Sequence, residues 1–204
     1  MGLQSELHLK DRFLSHLAEC RVVLLRYLKN PVQEIGDLPS WTWPKILVTQ
    51  ILITALCGVF RALISGDGFL GIIGGAILNP ILIIMTSLVS AIFFYYCFQI
   101  FANKTVEFRK LYELIFFANI PFYILIIPVE LFPFIFLAAF AMTALLLFKG
   151  FIQHFQLERK LVTKLIGSLF LLLLSMWVWQ RFENLRSEQA YDSKIRAPEI
   201  KLGE

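Results

Sequence analysis

The sequence predicts an all-α, polytopic integral membrane protein: five transmembrane helices preceded by an N-terminal amphipathic helix. Three observations carry that prediction. Of the 204 residues, 58% are hydrophobic and the mean hydropathy is +0.71, whereas soluble domains hold about 45–50% apolar residues. Long uncharged runs recur, and about 20 such residues cross the hydrocarbon of a bilayer. The Lys and Arg residues gather in alternate connectors, as the positive-inside bias demands.

In chain order, residues 1–45 form a cytoplasmic helix and linker. From Leu9 to Lys29, residues Leu9, Phe13, Leu17, Cys20, Leu24, Tyr27 and Leu28 fall in one arc at 100° per residue, with Asp11, Arg12, Glu19 and Arg26 opposite. Such a helix either lies on the inner leaflet or packs against the bundle. Asn30-Pro31 stops it. Trp41 and Trp43, beside Pro44-Lys45, have the character of an interfacial anchor.

Residues 46–180 supply the membrane domain. The first span is Trp43 to Ile64. Gly68 to Asn103 is then 36 residues without a charge, about 54 Å as one helix against a core of about 30 Å. A break at Asn79-Pro80 is therefore expected, with a second span from Pro80 to Phe101 and a short interfacial or re-entrant piece over Gly68–Leu78. The third span is Leu111 to Ile127, the fourth Phe132 to Phe148 and the fifth Leu161 to Trp179. Residues 181–204 form a polar, mixed-charge tail expected to be flexible.

The central hairpin, Asn79 to Pro128, has a connector carrying Lys104, Arg109 and Lys110. Thirteen of the nineteen Lys and Arg fall on the side of the N-terminus and the two basic connectors, and six on the other. The N-terminus is thus expected in the cytoplasm and the C-terminus outside. The first long apolar run starts near Ile46, so it reads as an uncleaved signal-anchor.

The modest net charge of +4 follows from the positive-inside bias and gives no reason to expect nucleic acid. Cys20, Cys57 and Cys97 make no CxxC pair and are expected as free thiols. His8, His16 and His154 are scattered without metal-ligand spacing, and no nucleophile has a nearby base, so neither metal, cofactor nor catalytic residues are expected. Gly66-Asp-Gly68-Phe-Leu-Gly71 spells GxGxxG, but lacks the strand and the downstream acid of a dinucleotide site. Gly71 and Gly75 have instead the small-xxx-small spacing of closely packed helices.

Polar groups within the spans are expensive unless satisfied. Asn79, Gln99 and Asn119 either line a path for an ion or small solute or serve as interhelical glue; with no acid or base at a predicted midpoint, the sequence favours glue. Pro80 marks the expected break. Pro121 removes a backbone donor, and the carbonyl it frees is available to Asn119 or to a neighbouring helix.

Several stretches together resemble the Yip family, the Ypt/Rab-interacting multi-pass membrane proteins. They are Asn30-Pro31 with Trp41 before the first span, the apolar second span ending in a basic connector, FRKLYELIFFANIPFYIL around Pro121, and LLLFKGFIQHFQLERK before the last span. The resemblance covers residues 25 to 180. It implies five spans, N-in and C-out, and a scaffold or adaptor; eukaryotic relatives act between endoplasmic reticulum and Golgi, and several bind prenylated Rab-type GTPases. The long cytosolic N-terminal region of those relatives and its DLYGP-like motif are missing, with Asp37-Leu-Pro39 as a faint echo, so the compact prokaryotic type in a bacterial cytoplasmic membrane is expected, with endoplasmic reticulum or Golgi as the alternative for a eukaryotic source.

The expected function is a non-enzymatic membrane scaffold or adaptor in membrane organisation or trafficking, with a small-solute or ion transporter or channel lined by the intramembrane Asn and Gln, or a lipid-handling protein, as alternatives. Its expected partners are the bilayer and other membrane proteins, with self-association left open. Cytoplasmic contacts are expected from Arg12, Arg21, Arg26, Arg109 and Lys110.

Overall fold

The computed structural model describes residues 18–132 and 134–195. Among these residues seven α-helices and one 3-10 turn follow in order: α1 (18–29), α2 (Pro31–Glu34), α3 (Trp43–Ser65), α4 (Gly68–Ala102), α5 (Phe108–Leu125), the turn Ile127–Glu130, α6 (Ile135–Phe155) and α7 (Arg159–Ile195). No strand occurs among the described residues. Two compact units divide the chain, Met1–Ile166 and Gly167–Glu204.

Among the described residues, four helices are long and apolar enough to cross a membrane: α3, α4, α6 and the Arg159–Gln180 stretch of α7. Their outward faces are hydrophobic, as in Leu56, Phe60, Leu82, Val89 and Leu145, which is the surface a bilayer covers. α5 differs. It carries Arg109, Lys110 and Glu113 near its start, yet every residue from Leu111 to Ala118 is buried. It is the enclosed helix of the first unit, with α3, α4 and α6 packed around it.

α3 and α4 form an antiparallel pair whose close approach depends on two glycines. A Cβ on Gly75 would lie 2.5 Å from the Gly58 carbonyl oxygen, and one on Gly58 would collide with the backbone of Gly75. The turn between them uses Gly66 and Gly68 at φ of 71° and 69°, backbone that glycine adopts without steric cost.

Three expectations are corrected here. α4 runs unbroken from Gly68 to Ala102, with Pro80 inside it, so Gly68–Leu78 is neither separate nor re-entrant. Pro80 is buried and neighbouring Asn79 donates to the Thr54 carbonyl at 2.7 Å, so packing on α3 holds the helix together across the proline. α6 continues to Phe155, well past the expected end at Phe148. α7 continues to Ile195, into the stretch read as a polar tail. Of the amphipathic helix, residues 18–29 are helical, while Leu9, Phe13 and Leu17 lie outside the described residues.

In the second unit the described residues continue α7 as a single helix, with Trp179 Nε1 donating to Glu183 Oε2 at 3.0 Å.

The glycine crossing makes a direct prediction. Gly75→Val places atoms against backbone that cannot swing aside, and overpacking of this kind costs about 1–3 kcal/mol. Gly74→Ala meets nothing within 4 Å and is expected to leave stability unchanged or slightly raised. Thermal unfolding of the detergent-solubilised protein checks the pair, with a lowered midpoint for Gly75→Val alone.

Candidate functional site: a strap across the basic end of the bundle

The sequence elements around residues 18–41 and the basic connectors converge at one end of the bundle. Pro121 cannot donate a hydrogen bond, so the Phe117 carbonyl four residues earlier has no partner in its own helix. Tyr27 Oη donates to that carbonyl at 2.8 Å, and its ring meets Phe117 edge-on with centroids 5.2 Å apart. Tyr27 is 1% exposed; burial pushes its phenol far above the ordinary value, so it remains a donor. The expectation that a neighbouring helix satisfies this carbonyl is met by α1. Asn119 instead bonds the Ile115 carbonyl at 2.9 Å.

Two further bonds fix α1. Cys20 Sγ lies 3.3 Å from Thr49 Oγ1. Glu19 pairs with the buried Lys45 ammonium at 2.5 Å, and that ammonium sits 5.1 Å from the Trp41 ring centroid. The inner face of α1 is thus packed on the bundle. Its outer face, with Arg21, Val22, Leu25 and Lys29, is exposed.

Residues 30–41 then form a strap across the ends of α5 and α6. Basic side chains from both helices donate to its carbonyls: Lys149 to Val32 and Arg109 to Trp41 at 2.5 Å, while His154 Nε2 lies 2.9 Å from the Ile35 oxygen. In return the Trp41 backbone N–H donates to Glu113 Oε1 at 2.9 Å. The Trp41 ring is 2% exposed and rests on Phe117, 5.1 Å away. The interfacial anchor expected of Trp41 is therefore an internal one, because α5 offers its ring two phenylalanines and its backbone the side chains of Glu113 and Arg109.

The same end carries the expected surface cations. Arg109 and Lys110 both pair with Glu107, at 3.0 Å and 3.1 Å, and hydrogen bonds from Lys110 and then Arg109 hold the Glu107 carboxyl below its usual range. Arg26 pairs with Glu34 at 2.6 Å. Arg21 is exposed, and Arg12 lies outside the described residues.

Inside the bundle the polar residues form a network that sequence reasoning missed. Tyr112 Oη donates to Gln50 Oε1 at 2.7 Å, Gln50 Nε2 donates to Ser87 Oγ at 3.1 Å, and Ser87 Oγ lies 3.5 Å from Tyr123 Oη. Gln50 is fully buried. Three helices are tied by this chain. Of the polar residues singled out from sequence, Asn79 ties α4 to α3, Asn119 bonds within α5, and Gln99 is half-buried on α4; no bond joins them to each other. Gly75 is spent on the crossing with Gly58, and a Cβ on Gly71 would meet Asp67 of its own helix start, so the two glycines do not form an open face.

A bundle of apolar helices whose buried Gln50, Tyr112 and Ser87 and half-buried Asn79 are hydrogen-bonded to one another or to a neighbouring helix is a multi-pass membrane protein. The family model described as the Yip1 domain matches residues 25–180, a stretch that takes in the strap, the bundle and the start of the long last helix. The chain belongs to the Yip family. No curated protein and no solved structure shows significant similarity to it.

The proline and tyrosine form a coupled pair. Tyr27→Phe leaves a buried carbonyl unsatisfied, which costs about 1–3 kcal/mol. In a Pro121→Ala background, residue 121 regains an N–H for that carbonyl, and the same Tyr27→Phe change is expected to cost distinctly less. A double-mutant cycle on unfolding free energy checks this; equal costs in both backgrounds would break the assignment.

Proposed function

We propose that this protein is a non-enzymatic membrane scaffold that crosses the bilayer five times and presents the strap end to the cytoplasm, acting in membrane organisation or trafficking. The observation that carries the reading is the stitching of residues 30–41 by Lys149, Arg109, His154 and Glu113. It turns what would be a loose leader into a fixed surface. A preformed surface loses less conformational entropy on meeting a partner than a loose one.

Five crossings are supported by chain direction. Lys104, just after α4, donates to the carbonyls of Phe155 and Gln156 at the end of α6, at 3.3 Å and 2.7 Å. The ends of α4 and α6 therefore share one face, so α5 and its 3-10 turn carry the chain away and α6 brings it back. With α3, α4 and α7 this makes an odd number of passes. The excess of Lys and Arg on the strap side supports placing that side inside.

The exposed outer face of α1 is the surface proposed to meet other membrane proteins, through Arg21 and Lys29 at its edge. The solute-path alternative has less support, because Asn79 and Asn119 each give their amide to a helix carbonyl.

Reporters fused before Met1 and after Glu204 are expected on opposite sides of the membrane, the first cytoplasmic. Arg21→Glu combined with Lys29→Glu is expected to remove most crosslinked membrane partners while leaving the unfolding midpoint unchanged. An unaltered partner set, at unaltered stability, would overturn the assignment of that surface.

A further inference from the structure

Between the strap and the ends of α5 and α6 lies a cavity of about 280 Å³. Leu38, Pro39 and Ser40 form one wall, Lys110 and Glu113 a second, and His154 with Phe155 a third. The second wall is unusual, because Glu113 brings to it a carboxyl group only 2% exposed. Glu113 Oε1 accepts the Trp41 N–H. A carboxylate has two oxygens and about four acceptor sites, so the group retains capacity for a cationic donor.

Lys110 precedes Glu113 by three residues, which places the two on one face of α5. Its ion pair with Glu107 is exposed on both partners, and such pairs exchange readily. The Ser40 hydroxyl adds a neutral donor, and Leu38, Pro39 and Phe155 give an apolar margin. The matching ligand carries a primary ammonium for Glu113, an anionic oxygen group a short linker away for Lys110 and Ser40, and an apolar body.

We propose that this cavity binds a phosphoethanolamine group, presented by a membrane phospholipid. The cavity lies where the apolar helices give way to Lys104, Lys110 and the strap, the level of lipid headgroups. A purely anionic headgroup would set its charge against Glu113. A choline headgroup has no N–H to donate and is bulkier than an ammonium.

The test is native mass spectrometry of the purified full chain with phosphatidylethanolamine, phosphatidylglycerol and phosphatidylcholine of identical acyl chains. A charged hydrogen bond within the cavity is worth about tenfold or more, so retention of the ethanolamine lipid is expected to exceed both others by about that factor. In Glu113→Gln the carboxamide oxygen still accepts the Trp41 N–H, so the strap stays in place, and the preference is expected to vanish. Lys110→Met removes the partner of the phosphate that all three lipids share and is expected to weaken retention of each of them. Equal retention of the three lipids by the unaltered protein would overturn the proposal without any variant, as would a Glu113→Gln protein that keeps the full preference. Competition by water-soluble phosphoethanolamine assigns binding to the headgroup alone, and failure to compete assigns it to the whole lipid; both support the site. The result is independent of the scaffold reading, which stands or falls on partner crosslinking.

Discussion

The Phe117 carbonyl has no donor in its own helix, and where its hydrogen bond goes decides how the amino-terminal part of the protein folds. Pro121 removes the N–H that would normally reach it, and nothing in a bilayer would replace that donor. Tyr27 supplies it. Once Tyr27 is placed, α1 can only lie along the bundle, and the bonds of Cys20 and Glu19 to α3 fix its rotation. The chain must then return to Trp43 within a short link. That return lays Trp41 on Phe116 and Phe117, beside the residue Tyr27 already holds. Residues 27 and 41 thus close over one turn of α5.

That enclosure explains a contrast among the helices. α3, α4 and α6 turn apolar side chains outward and can do so because lipid accepts them. α5 is buried at every position from Leu111 to Ala118 and again at Tyr123, and so it can carry Glu113 and two tyrosines whose hydroxyls find partners on α3 and α4. The Tyr112–Gln50–Ser87–Tyr123 chain is satisfied at each described step, which is the condition under which a polar network in an apolar interior stabilises one arrangement of helices over its competitors.

Much of this was legible in the sequence. The start of α3 at Trp43, the basic turn after α4 and the carbonyl freed by Pro121 all rest on local chemistry, and local chemistry is what a sequence displays. The continuity of α4 was not legible. Length and Asn79-Pro80 both argue for a break, and what outweighs them is the Asn79 bond to Thr54 and the Gly58–Gly75 crossing, both supplied by a different helix. The polar network was hidden for the same reason. Gln50 and Tyr112 stand 62 residues apart, and neither is unusual in its own segment. Trp41 misled by its type: tryptophan before a span signals an interface, and only the aromatic face of α5 draws it inward.

The strap and the cavity beneath it are one device. Leu38, Pro39 and Ser40 line the cavity only because their flanks are tied, Ile35 by His154 and Trp41 by Arg109 and Glu113. Glu113 belongs to both structures, holding the strap with one oxygen and facing the cavity. A ligand seated against Glu113 and Ser40 therefore favours the stitched strap over a released one, and a stitched strap favours the ligand, since the two effects are a single coupling free energy. Through Tyr27 and Pro121 the same coupling extends to α1, whose outer face is exposed. The physical route from the cavity to the exposed face of α1 is accordingly short: one carboxyl group, one tryptophan backbone and one tyrosine on a carbonyl that proline left free.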